Sequence, residues 1–119
     1  MLHDVLTGFA SLPTMLWFKS NKLIDDFATK LATDLAQRYP AVLENEVPRK
    51  RNPDRLAKAF DSTFNRAIDF QREHRFGIYG KARLGNTFRW QLKELGYPDD
   101  FIELATKSLV NFIAVQRTR

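Results

Sequence analysis

The chain has 119 residues, enough for one domain with its own hydrophobic core and too few for a second. Apolar residues make up 44% of it, which excludes wholesale disorder, and the absence of cysteine excludes disulfides, thiolate chemistry and cysteine-bound zinc. The net charge of +5 is unevenly placed: residues 49–93 hold twelve Lys/Arg against four Asp/Glu, while the remainder holds seven against ten.

Residues 1–19 read as an apolar arm. Leu2, Val5, Leu6 and Phe9 keep helical spacing until Leu12-Pro13 stops it, and the segment is expected to lay Phe9, Met15, Trp17 and Phe18 onto the body of the domain. An interfacial membrane anchor is the rival reading, but such helices carry Lys/Arg on their polar face and none occurs before Lys19. The arm also lacks the basic start of a secretory signal, and its unbroken apolar stretch is shorter than the about 20 residues of a membrane span. A soluble, cytoplasmic protein with no membrane span is expected.

Residues 20–119 read as one helical domain. Ser20 or Asn21 can cap a first helix to about Tyr39, with Leu23, Ile24, Phe27, Ala28, Leu31 and Leu35 on one face. Pro40 ends it, and Pro40 to Arg51, with two prolines and no helical period, is predicted to be a loop with a cationic end. Asn52-Pro53-Asp54 then opens the second long helix: Asn caps, Pro takes the first helical position, and Asp complements the positive dipole end. Leu56, Ala59, Phe60, Thr63, Phe64, Ala67 and Ile68 carry its period to about His74, with Asp54 and Lys58 at ion-pair spacing on the opposite face.

Gly77 and Gly80 are expected to break the chain before a third helix near 81–95, striped by Leu84, Phe88, Leu92 and Leu95. Placing Gly96 after the C-cap sets Tyr97 opposite Leu92, the contact that accompanies a Schellman ending. Asp100 and Glu103 stand at capping-box spacing for a last helix near 99–116. No strand pattern competes, so the fold class is all-α: a compact bundle of three long helices plus a fourth C-terminal one.

On a helical wheel the third helix carries a second face opposite its apolar stripe, where Arg83, Asn86, Arg89, Trp90 and Lys93 fall together. An aromatic among cations is the make-up of a single-stranded nucleic-acid platform, the ring stacking a base and the cations holding phosphates. The rival is a Trp90 packed under the N-terminal arm or across a dimer interface. Gly77-Ile-Tyr-Gly80-Lys81 resembles the backbone-gripping GxxG loop of KH domains over five residues, but the strands of that fold are missing and turn geometry alone accounts for two glycines. A helix-turn-helix at Leu95-Gly96-Tyr97 would offer DNA the carboxylates of Asp99, Asp100 and Glu103, which opposes it.

Catalytic chemistry finds little material. His3 and His74 are the only histidines, Glu73-His74 has no metal-ligand spacing, and Asp69 with Glu73 reads as a solvated ion-pair face. Asp25-Asp26 reads as a helix-start pair. No catalytic residue, metal or cofactor is expected. The expectation is a small basic binding protein without enzymatic activity, meeting nucleic acid (RNA or single strands) or another polyanion through residues 49–93. Arg49, Lys50, Arg51, Arg72, Arg75, Lys81, Arg83, Arg89 and Lys93 would contact phosphates, and Tyr79 or Trp90 would stack. The alternative is a protein-interaction or homodimeric helical module, in which those two rings are buried against a partner.

Overall fold

The computed structural model describes residues 21–46, 51–74 and 77–117, and among them every regular element is a helix. Helix α1 covers residues 21–38, α2 Val42–Asn45, α3 Pro53–His74, α4 Ile78–Glu94 and α5 Asp99–Arg117. The all-α bundle of three long helices and a fourth C-terminal one is the observed architecture. The expected N-terminal arm, residues 1–19, lies outside the described residues, as do Arg49, Lys50 and Arg75.

Cross-helix contacts define the topology. Thr63 bonds Asp34 and Phe70 stacks on Phe27, so α3 runs antiparallel to α1. Arg83 meets Asp25 and Tyr97 meets Tyr39, so α4 runs parallel to α1. Gly85 lies against Val110 and Thr106 while Arg89 pairs with Glu103, which returns α5 antiparallel to α4. Phe60 lies beside Phe101 and Phe64 beside Phe112, so α5 is parallel to α3. Two antiparallel helix pairs, α1/α3 and α4/α5, therefore pack face to face.

Aromatic side chains fill the seam between those pairs. Tyr39, Phe64, Phe88 and Phe101 are fully buried, with Phe64 edge-on to Phe88 at 5.9 Å and Tyr97 stacked on Phe101 at 4.6 Å. Burying each such ring contributes about 1.5–3 kcal/mol from area alone. The periodic Leu84, Phe88 and Leu92 of α4 meet this core, and Ile24, Ala28, Leu31 and Leu35 meet it from α1.

Local chemistry explains most of the boundaries. Asn52 caps α3 through its Oδ1, which accepts from the N–H of Asp54 at 3.1 Å and of Arg55 at 3.2 Å. Gly96 closes α4 in a Schellman motif: Tyr97 N–H donates to Leu92 O at 3.2 Å, Gly96 N–H donates to Lys93 O at 3.0 Å, and Gly96 takes φ 92°.

Two boundaries differ from expectation. The Pro40–Arg51 segment is not all loop, because Pro40 and Ala41 carbonyls start the single-turn α2. Four residues carry no readable period. What holds α2 is tertiary: Glu44 reaches Tyr39 and Arg51, and Asn45 Nδ2 donates to Gly96 O at 2.9 Å. Helix α4 begins at Ile78 rather than near Lys81, since Gly77 is its extended N-cap and accepts from Lys81 N–H at 3.0 Å. Gly80 therefore lies buried inside the first turn and is no loop residue. Helix α5 starts at Asp99, as expected, which sets Asp100 inside its first turn; there Glu103 pairs with Arg89, and Arg51 stands 3.7 Å from the Asp100 carboxylate.

Candidate functional site

The three extra residues at the start of α4 bring Tyr79 into register with the face inferred from the wheel. Tyr79, Arg83, Asn86, Trp90 and Lys93 follow one another at steps of four and three, which places them within about 80° of arc at 100° per residue. Trp90 is 57% exposed and Tyr79 54%, so neither ring belongs to the core. Asn86 and Lys93 are exposed between and beside them, and Ile78, 82% exposed, adjoins the stripe at its N-terminal end. The apolar stripe of α4 is satisfied by α1, α3 and α5; this second face points to solvent.

Arg83 is the built part of the face. Its Nε donates to Asp25 Oδ1 at 2.9 Å and its Nη2 to Asp25 Oδ2 at 2.8 Å, while Thr87 Oγ1 donates to the same Oδ1 at 2.9 Å. Its remaining Nη1 lies 3.4 Å from the Tyr79 hydroxyl. The Arg83 hydrogen bonds hold the Asp25 carboxyl below its ordinary value, against the opposing effect of partial burial. Asp25 is thus a tertiary clamp from α1 to α4 and no mere helix-start acid. The fork fixes the Arg83 plane beside Tyr79 and offsets most of its charge at the same time.

The other cations expected at the site disperse. Arg89 is exposed but pairs with Glu103 at 3.3 Å on the α5 side. Lys81 is half-buried and borders a small crevice with Leu84, Gly85 and Val110, away from Trp90. Arg72 is exposed in the last turn of α3. Arg51 lies at the other end of the bundle from Tyr79, with its Nε 3.0 Å from Glu44 Oε2; the Glu44 side chain is fully buried and also accepts from the Tyr39 hydroxyl at 2.6 Å. That guanidinium is the counter-ion of an internal carboxylate. Of the expected contact residues described, the fold gathers Tyr79, Arg83, Trp90 and Lys93 on one face and leaves Arg51, Arg72, Lys81 and Arg89 elsewhere.

Sequence reasoning missed Asp25. Its partners lie 58 and 62 residues away, so no spacing signal could announce it. His74 ends α3 with its ring 4.5 Å from Phe70 and its side chain 36% exposed. Among the described residues no group of His, Asp and Glu is arranged to hold a metal ion, and no helix is long and apolar enough to cross a membrane. Comparison with protein families, with curated proteins and with solved structures finds no match to this chain.

Proposed function

We propose that this protein is a binding module without enzymatic activity whose outward α4 face takes single-stranded nucleic acid, RNA first. One observation carries the reading: Trp90 is 57% exposed on the same face as Tyr79, Arg83, Asn86 and Lys93. Such a ring, more than half exposed beside hydrogen-bonding and cationic groups, is not part of the core formed by the described residues. Base stacking on such a ring contributes about 1–3 kcal/mol per base and tolerates any base. Trp90 and Tyr79 are eleven residues apart, about 16 Å along the helix axis, so they would engage separate nucleotides. Lys93 supplies phosphate contact at the C-terminal end, and Arg83, fixed by Asp25, offers a guanidinium plane.

The test is a titration of labelled single-stranded RNA at two salt concentrations. Affinity should fall steeply with salt, and Trp90→Ala should weaken binding about tenfold at either concentration. Lys93→Ala should lower the salt slope by about 0.7, the value for one phosphate contact on a single strand. Absence of binding at low salt removes the reading.

A protein partner or a second copy of the chain is the alternative, and a specific observation favours it. Arg83 and Arg89 already hold carboxylates, and Ile78 adds an aliphatic side chain 82% exposed at the end of the face. Such a face, repeating at steps of four and three, suits a facing helix. Sedimentation separates the two: a concentration-dependent rise in mass that Trp90→Ala abolishes assigns the face to protein contact.

A further inference from the structure

We infer that the groove between the C-terminal end of α1 and the start of α3 is a binding site for a phosphate group. The groove has a volume of about 380 Å³ and is bordered by Arg38 from α1 and by Asn52, Asp54, Arg55, Lys58 and Ser62 from α3. It lies on the α3 flank of α1, whereas Trp90 projects from α4 on the opposite flank, so it is independent of the α4 reading. Its size falls within the range of small-molecule sites.

Three cations from two helices converge there against one carboxylate, Asp54. Arg38 is oriented by a supporting shell. Its Nε donates to Asp34 Oδ2 at 3.0 Å, and that oxygen also accepts from Thr63 Oγ1, a fully buried residue, at 2.9 Å. Held by Nε alone, the guanidinium keeps both terminal nitrogens available as a donor pair, the geometry that matches two phosphate oxygens. Arg55 and Lys58 are exposed, and among the described residues neither pairs with a carboxylate, Asp54 included. Ser62 adds a hydroxyl one turn further along α3, and Ala59 leaves the floor between them open.

Three positive groups against Asp54 and the Asp34 partner of Arg38 leave a groove of net positive charge, which favours a phosphate, whose oxygens can accept from more than one cation, over a lone carboxylate, which one fork would satisfy. The start of the 22-residue α3 adds its positive dipole end to the same rim. The ligand chemistry is a phosphate ester, as a monoester on a small metabolite or as the diester of a nucleic-acid backbone.

The experiment is a titration with inorganic phosphate at constant ionic strength, followed through backbone amide resonances. Saturable shifts confined to residues 52–62 and the end of α1 are expected. Arg55→Ala with Lys58→Ala should weaken binding about tenfold or more, and Asp54→Asn should tighten it severalfold by removing a repelling charge. Lys107→Ala, exposed on α5 and outside both sites, should leave the affinity unchanged. Parallel titrations with adenosine monophosphate and with a dinucleotide lacking terminal phosphates identify the source, the tighter of the two naming monoester or diester. Shifts spread evenly over all surface cations, or an affinity that the double variant leaves unaltered, would overturn the assignment.

Discussion

Arg83 grips Asp25 through two parallel hydrogen bonds, 2.9 and 2.8 Å long, across a sequence gap of 58 residues. The pair joins the first helix to the fourth and aims a guanidinium at the Tyr79 ring edge of the outward face. Both side chains are about one-third exposed, so solvent screening limits its strength. A double-mutant cycle with Asp25→Ala and Arg83→Ala should return a coupling of about 1 kcal/mol, measured by urea denaturation. Arg83→Lys should not restore it, because an ammonium lacks the fork.

The same pair has a pH signature. Folding holds the Asp25 carboxyl below its ordinary 3.8, so the folded state binds fewer protons than the unfolded state in that range. Its contribution is complete above 3.8 and is lost as pH falls through the folded value. Acid denaturation of the wild type should therefore show a step that Asp25→Asn lacks.

One substitution, glycine to alanine, should act with opposite sign at two sites. Gly96 holds φ 92° with nothing near a β-carbon, so Gly96→Ala carries only the left-handed backbone strain, about 1–2 kcal/mol of lost stability. Gly85 lies inside α4, where a β-carbon would stand 3.6 Å from Val110 and 3.8 Å from Thr106, ordinary contact distances. Gly85→Ala should gain about 0.5–1 kcal/mol from reduced chain entropy in the unfolded state. Thermal unfolding of the two variants checks both signs.

Glu44 and Arg51 form the most buried ion pair described, with Tyr39 donating its hydroxyl to the same carboxylate. Arg51→Ala removes a charge partner of a fully buried carboxylate, which keeps its Tyr39 hydrogen bond, and should destabilise the fold by about 1–3 kcal/mol, part of which Glu44→Gln in the same chain should recover. Burial and the Glu44 carboxylate push the Tyr39 phenol up to about 12, and burial raises Tyr97 as well. The unfolded chain deprotonates first, near the ordinary value of 10, so stability is full below 10 and declines between 10 and 12. The phenolate absorbance of Tyr39 and Tyr97 should rise together with alkaline unfolding.

Two aromatic residues two positions apart on α4 should part company. Phe88 is fully buried and Phe88→Ala should cost about 3–5 kcal/mol; Trp90→Ala should change stability by less than about 0.5 kcal/mol. In a Trp17→Phe background, iodide should quench Trp90 fluorescence readily, and RNA should protect it.

The helical architecture was legible because its causes are local. Apolar residues at three- and four-residue spacing, the Asn52 cap, Pro40 and the Gly96-Tyr97 ending each act within a turn or two of chain. All of them appear where their chemistry requires. Periodicity set Trp90 off the apolar stripe but left open whether a partner or the N-terminal arm covers it; only the structure shows its 57% exposure. Helix α2 escaped because one turn carries no period: Glu44 reaches Tyr39 and Arg51 five and seven residues away at no helical spacing, and Asn45 bonds Gly96, 51 residues on.

Tertiary structure alone decided what the basic window amounts to. A count of cations over residues 49–93 cannot tell which acids the fold will bring beside them, and Coulomb attraction falls off over a few ångströms in water. Arg51 is taken by Glu44, Arg83 by Asp25 and Arg89 by Glu103, three acids contributed by the acidic flanks. Arg38, outside that window, joins Arg55 and Lys58 at a groove because α3 returns antiparallel along α1. Sequence alone determined the helices and their faces; only the packing of one helix on another determined which charges remain for a ligand.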